Sequence, residues 1–228
     1  MIADEIRSLL AEKRKKPVPD DLELYLSQAR VRNKVYRTII DRYADAINEG
    51  EEKSIPELKT LVNPRDKTVV NKRDEFFMQL KGDEIEWQFD FDRDFPGFAV
   101  KSFEFVNSLK PVHAELSVSY WLSPKDMIDL GAGDALDKCV FLCSLLISAG
   151  CKNARVRVVA LEGALKHSFV LFEFKNRQYL LDPSSVESEA VCEAEALEGL
   201  FVHYCFDSRG VVRPLYEFND ESFEEFEA

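Results

Sequence analysis

The chain has 228 residues, 46% hydrophobic and 32% charged, so it can bury a sizeable core without disulfide or metal staples. Its formal net charge is −12, and the charge is uneven: residues 1–75 hold 16 Lys/Arg against 15 Asp/Glu, and residues 76–228 hold 14 against 27. An acidic body excludes a polyanionic partner, so no nucleic acid is expected, and with no apolar run near 18 residues and no secretory h-region, no membrane partner and a cytoplasmic location are expected.

Ile2, Ile6, Leu9 and Leu10 predict an amphipathic helix stopped by Pro17 and Pro19. The basic run Lys13-Arg14-Lys15-Lys16 reads as its solvated end. Asp20 or Asp21 caps a longer helix to about Asn48, with a stripe of Leu22, Leu26, Ala29, Val35, Tyr36, Ile39, Ile40, Tyr43 and Ile47, and Gly50 ends it. Ser54-Ile55-Pro56-Glu57 opens a short helix, and Asn63-Pro64 caps another that runs toward Leu80 and Gly82.

From Glu84 to Asp92 the apolar residues Ile85, Trp87, Phe89 and Phe91 alternate with polar ones, the period of a half-exposed strand. Phe95-Pro96-Gly97 is expected to break the chain, with a helix from Phe98 to Leu109 burying Val100, Phe103, Phe105 and Val106. Ala114 to Trp121 alternates again, as a short strand carrying Leu116, Val118 and Tyr120, and Ser123-Pro124 caps the next helix.

The turn Gly131-Ala132-Gly133-Asp134 feeds an apolar helix from Ala135 to Ala149, stopped by Gly150. Strands follow at 155–161, 167–174 and 177–182, the last ending in Asp182-Pro183-Ser184. Glu187, Glu189, Glu193, Glu195 and Glu198, interleaved with alanines, predict a solvated helix. Strands at 200–206 and 211–218 flank the turn Asp207-Ser208-Arg209-Gly210, and 219–228 is expected to be a frayed acidic tail. His113 and His203 are read as structural, and Cys139, Cys143, Cys151, Cys192 and Cys205 as reduced core thiols, with no metal and no cofactor.

This order brings together a helix N-terminus at position 135, a histidine early in a strand, and an aspartate at the end of the next. A helix N-terminus stabilises a thiolate, a facing histidine takes the thiol proton, and a carboxylate orients the histidine. Gly133-Asp134-Ala135-Leu136-Asp137-Lys138 resembles the Gly-Asp-Cys-x-Asp-Lys segment of the transglutaminase-like superfamily, a branch of the papain-like cysteine enzymes. His167-Ser168-Phe169 is similar to that family's His-Ala-Trp strand, Asp182-Pro183-Ser184 to its Asp-Pro-Thr, and Tyr120-Trp121 with Ser123-Pro124-Lys125-Asp126-Met127 to the segment before the nucleophile. The likeness covers about residues 100–185.

The resemblance implies an α+β fold with a papain-like core at 83–218, an N-terminal helical extension at 1–82 and the tail at 219–228. It implies a catalytic set of position 135, His167 and Asp182, with Trp121 as a candidate for the oxyanion or acyl site through its indole N–H. A peptide or protein substrate and hydrolysis, as a peptidase or amidase, are expected, with an amine acceptor, and so a transglutaminase, as the alternative. Residue 135 is alanine, which can neither attack a carbonyl nor form an acyl-enzyme, so the chain as it stands is expected to be inactive. The alanine reads either as an inactivating substitution, favoured by the retention of Asp134, Asp137-Lys138, His167 and Asp182, or as the mark of a natural pseudoenzyme that binds peptides. Cys139, one turn further along the same helix face, reads as core rather than as a replacement nucleophile. A third reading is an interaction protein acting through the N-terminal helices.

Overall fold

A computed structural model of the chain describes residues 2–14, 21–49, 55–83, 85–112, 121–163, 165–185, 187 and 190–227. The helix stops expected at Pro17, Pro19 and Gly50, the Ser54 cap, His113 and the strand expected at 114–120 lie outside these residues. Helix α1, Ile2–Arg14, buries Ile2, Ala3, Ile6 and Leu10. Helix α2, Asp21–Glu49, buries Val35 and Ile39 but exposes Leu26 and Ile40, so its apolar stripe is used only in part. The short helix α3, Ile55–Leu61, leads to α4, Lys67–Lys81. That helix starts later than Asn63-Pro64 suggested: the Asp66 carboxylate accepts from the amides of Thr68 and Val69, whereas the Asn63 side chain accepts from the Arg65 amide.

No strand forms over 85–92. The alternation there is real, but Trp87 and Phe89 pack on the helices: the Phe89 ring stacks on Phe77 of α4 with centroids 4.3 Å apart, while Ile85 faces solvent. Helix α5, Phe91–Ser108, begins seven residues earlier than the sequence suggests and runs through Pro96. Asp90 caps it by accepting from the Arg93 amide, and Asp94 accepts in turn from the Asp90 amide. The proline forfeits one helical hydrogen bond near the start, which the burial of Phe95, Pro96 and Phe98 outweighs.

A two-residue parallel pair, β1 at Lys110–Pro111 and β2 at Ala132–Gly133, brackets helix α6, Pro124–Leu130. Gly131 ends α6 in the left-handed region, with φ +64°. Gly133 is needed for a different reason: a Cβ there would lie 2.9 Å from Met127 Sδ, and Met127 is fully buried. Helix α7, Ala135–Ser148, follows at once, and its face is almost wholly buried.

Strands β3, Arg155–Leu161, β4, Lys166–Phe174, β5, Arg177–Leu181, and β6, Val191–Ala194, form an antiparallel meander. The solvated helix expected across 187–198 is absent: β6 buries Val191 and Cys192, and helix α8, Leu197–His203, starts only afterwards. Accordingly 200–206 is not one strand but the end of α8 followed by β7, Cys205–Phe206. Strand β8, Arg209–Phe218, pairs with β3, and β9, Phe223–Glu225, pairs with β8, giving a sheet ordered β6-β5-β4-β3-β8-β7 with β9 also on β8. The tail is therefore docked, because the Asn219 side chain closes the turn by accepting from the amides of Glu221 and Ser222.

The fold is α+β, a helix packed on an antiparallel sheet. Side-chain alternation splits the sheet between two clusters. Val156, Val158, Val170 and Phe172 meet α7 and, beyond it, α4 and α5, while Val159, Phe169, Leu171 and Leu180 meet α8. The first cluster also takes in α1, α2 and α4, so the N-terminal helices and the sheet share one core.

One polar strut ties these layers beside the sheet edge. The Asn107 amide at the end of α5 donates to the carbonyls of Pro183 (3.1 Å) and Ser185 (2.7 Å), and its oxygen accepts from Lys13 Nζ (2.6 Å). Asn107→Ala orphans two buried carbonyls and is expected to cost about 2 kcal/mol, measured as a fall in the urea midpoint at unchanged m-value.

Candidate active site

Ala135 is the first residue of α7. The Asp134 carboxylate accepts from the Asp137 amide (2.7 Å) and the Asp137 carboxylate from the Asp134 amide (3.4 Å), a capping box made of two acids. The amides of Ala135 and Leu136 are left without an intrahelical partner, at the positive end of the helix dipole. Both residues line a cavity of about 290 Å³ whose wall also includes His167, Ser168, Val158 and Tyr216.

His167 Nε2 donates to Asp182 Oδ2 at 2.8 Å, which orients the ring and turns Nδ1 away from the carboxylate. The ring is clamped by Phe206, stacked at 3.9 Å between centroids, and Tyr204 lies nearly parallel at 6.4 Å. Asp182 is fully buried and accepts three further hydrogen bonds: from Tyr204 Oη to the same oxygen (2.9 Å), and from the amide (2.9 Å) and hydroxyl (2.5 Å) of Ser184 to Oδ1. Burial alone would raise this carboxyl, but the bond and charge of His167, together with Ser184, outweigh it and hold it below 3.8.

Beneath the helix start, two adjacent buried charges go separate ways. Asp137, pushed well above its ordinary value by burial and then by Asp134, also accepts from the Leu122 amide at 3.0 Å. Lys138 Nζ donates to the Leu109 carbonyl (2.6 Å), so it anchors β1; burial brings its pKa down from 10.5 to about 8, against an opposing pull from Asp182.

The structure thus brings Ala135 and His167 into one cavity, and Asp182 behind His167. It does not bring Trp121 there. Trp121 lines a separate cavity of about 190 Å³ with Leu61, Asn63 and Asp137, on the α3 side. Cys139 is completely buried, and burial, followed by the nearby Asp182, drives its thiol well up against a hydrogen bond from Ser168. It is an inert thiol in this state. His203 is exposed at the end of α8. Among the described residues no cluster of His, Cys, Asp or Glu could hold a metal ion, and no helix is long and apolar enough to cross a membrane.

Tyr204 and Phe206 are the site residues that sequence reasoning missed. Both sit in an apolar run read as a strand, where a tyrosine gives no sign that its hydroxyl has a buried acid to serve.

Known proteins offer distant likenesses only. No family model and no curated protein matches the chain. Among solved structures, Legionella pneumophila LapG in its EGTA-treated form is 16% identical, with a TM-score of 0.46 over 78% of this chain and 88% of that one. A second LapG structure from Legionella pneumophila is 17% identical, with a TM-score of 0.46 over 76% and 86% of the two chains, and the calcium-bound form is 18% identical, with 0.43 over 70% and 91%.

Two titrations follow from the buried charges. The lowered Asp182 carboxyl contributes stability that is present above its unfolded value of 3.8 and lost as the pH falls through its folded value. Asp182→Asn is expected to lose about 3 kcal/mol at neutral pH, with the gap to the parent chain closing below about pH 4 in urea melts. For Lys138, the unfolded chain binds the extra proton between pH 8 and 10.5, so stability rises with pH there. Raised thiols and tyrosines pull the other way, so the test is a difference: parent minus Lys138→Met should grow in favour of the parent across that window.

Proposed function

We propose that this site is built for thiol-dependent acyl transfer at an amide, as in a cysteine peptidase or amidase, and that alanine at 135 leaves it able to bind a peptide or protein substrate without turning it over. The observation that carries this reading is the shared cavity of position 135 and His167, with Asp182 fixing the imidazole from behind. A cysteine at 135 would give its proton to His167 and attack the amide carbon, forming the S–C bond. The N-terminal amides of α7 are the donors nearest to hand for the oxyanion, a contribution of about 3 kcal/mol per donor. Collapse breaks the C–N bond as His167 returns the proton to the leaving amine, and water, deprotonated by the same histidine, releases the acid. With an amine in place of water the same steps make a transglutaminase; the sequence resemblance favours water.

A natural pseudoenzyme is the second reading, and one observation favours it. Asp182 and His167 have a structural use, because the carboxylate would be a buried unpaired charge without its four donors, so their retention does not require turnover.

The two readings part on Ala135→Cys. Treated with limiting alkylator at pH 6, where an ordinary thiol is protonated, residue 135 should be the one labelled fast, seen by intact mass and peptide mapping, and His167→Ala should slow it about tenfold or more. A thiol at 135 no faster than the five native cysteines would retire the acyl-transfer reading in favour of the binding module.

A further inference from the structure

We infer that the groove leading from Ala135 contains an anion subsite made by Lys166 and Arg213, and that the substrate carries a single carboxylate about two residues from the amide held at position 135. The inference deepens the acyl-transfer reading and rests on it for the position of the amide.

Register places the two cations together. Ala160 on β3 pairs with Lys166 on β4 and with Arg213 on β8. Residues directly opposite in an antiparallel pair share a face, so Lys166, Ala160 and Arg213 form one row across three strands, with the cations' backbones about 10 Å apart. The methyl of Ala160 between them leaves room for both long side chains to converge on one group. The next row, Ser168, Val158 and Tyr216, lines the cavity under Ala135 and lies about 7 Å away along β4 and β3, with Tyr216 three residues from Arg213 on β8, where a register shift between Val158 and Val159 skips Leu215. That distance is the span of roughly two extended residues.

The two rows border adjoining cavities. A second cavity of about 540 Å³ is walled by Arg213, Leu215 and Phe226, and it shares Lys166 and Tyr216 with the cavity at Ala135. Both cations are exposed, and among the described residues neither makes an ion pair, in a chain whose net charge is −12. Acids share this second cavity. Glu225, paired with Tyr216 across β8 and β9, and Glu227 line it as well, and Glu162 directs its carboxylate toward Gly210. Two cations with two acids in the same lining suit a single carboxylate and disfavour a polyanion such as a phosphorylated or nucleotide ligand. The carboxylate can come from an Asp or Glu side chain or from a peptide C-terminus.

The test uses the full chain with Ala135, which cannot consume its ligand. Fluorescein-labelled heptapeptides of alanine, each with one Asp, Glu, Leu or Lys scanned along the sequence, are titrated by anisotropy, once as C-terminal amides and once as free acids. The expected result is binding about tenfold tighter for Asp or Glu than for Leu or Lys at one position, weakened by added salt and abolished in Lys166→Met/Arg213→Met. If instead the free acids bind tightly whatever the side chain, and the double variant again abolishes it, the carboxylate is the chain end. The subsite is overturned if no peptide binds, if lysine is preferred, or if the acid preference survives the double variant. Ala135→Cys labelling at pH 6, repeated in the double variant, keeps the two ideas apart. An unreactive thiol there defeats the acyl-transfer reading, whereas a reactive thiol with no acid preference defeats the subsite alone.

Discussion

The carboxylate of Asp182 is the constraint around which the rest is arranged. It has no access to solvent, and a buried charge of this kind persists only where every lone pair is answered. Its four donors come from three places: the ring of His167 on β4, the backbone and hydroxyl of Ser184 in the loop after β5, and the phenol of Tyr204 between α8 and β7. One charge therefore fixes the end of the sheet to the segment that crosses it. Phe206 stacks on His167 as a consequence, since the chain that delivers Tyr204 to Asp182 passes over the imidazole two residues later.

The opposite wall is held by unrelated means. Helix α7 must start at one point, and three contacts determine it: the reciprocal capping of Asp134 and Asp137, the close fit of Gly133 against Met127, and Lys138 drawn down onto the Leu109 carbonyl. Each is short in reach, so a shift of one residue in this turn would break all of them. Asn107 then links the two walls, since it grips the Pro183 and Ser185 carbonyls next to Asp182 from the end of the helix whose following residue receives Lys138. The cavity between Ala135 and His167 is the gap these anchors leave.

What could be read from the sequence follows from how local each signal is. The helix from Ala135 and the strands near 155–161, 166–174, 177–181 and 211–218 announce themselves by apolar runs between glycines and turns, and His167 and Asp182 by motif. Signals that depend on distant partners misled. The alternation of Ile85, Trp87 and Phe89 has the strand period, but its partners are helices, and a ring packed on α4 alternates as readily as one on a neighbouring strand. Pro96 reads as a break because its local cost is visible and the burial of Phe95 and Phe98 is not. Tyr204 was hidden by the same logic: only the fold shows that its hydroxyl meets an acid 22 residues earlier in the chain.

On the acyl-transfer reading, alanine and cysteine at 135 differ in chemistry far more than in the architecture they require. In a thiolate–imidazolium pair the charge on Asp182 offsets the proton gained by the histidine, and the helix dipole offsets the charge on sulfur. The methyl group at 135 carries no charge, and none of the four bonds to Asp182 involves that position. The hydrogen-bond network, the stacking of Phe206 and the start of α7 are therefore indifferent to whether residue 135 is a nucleophile. Under the acyl-transfer reading such a site would lose or regain its reaction through a single side chain while its cleft and its donors persist, so binding would be judged by the groove that Tyr216 and Lys166 line, and turnover by position 135 acting with His167 and Asp182.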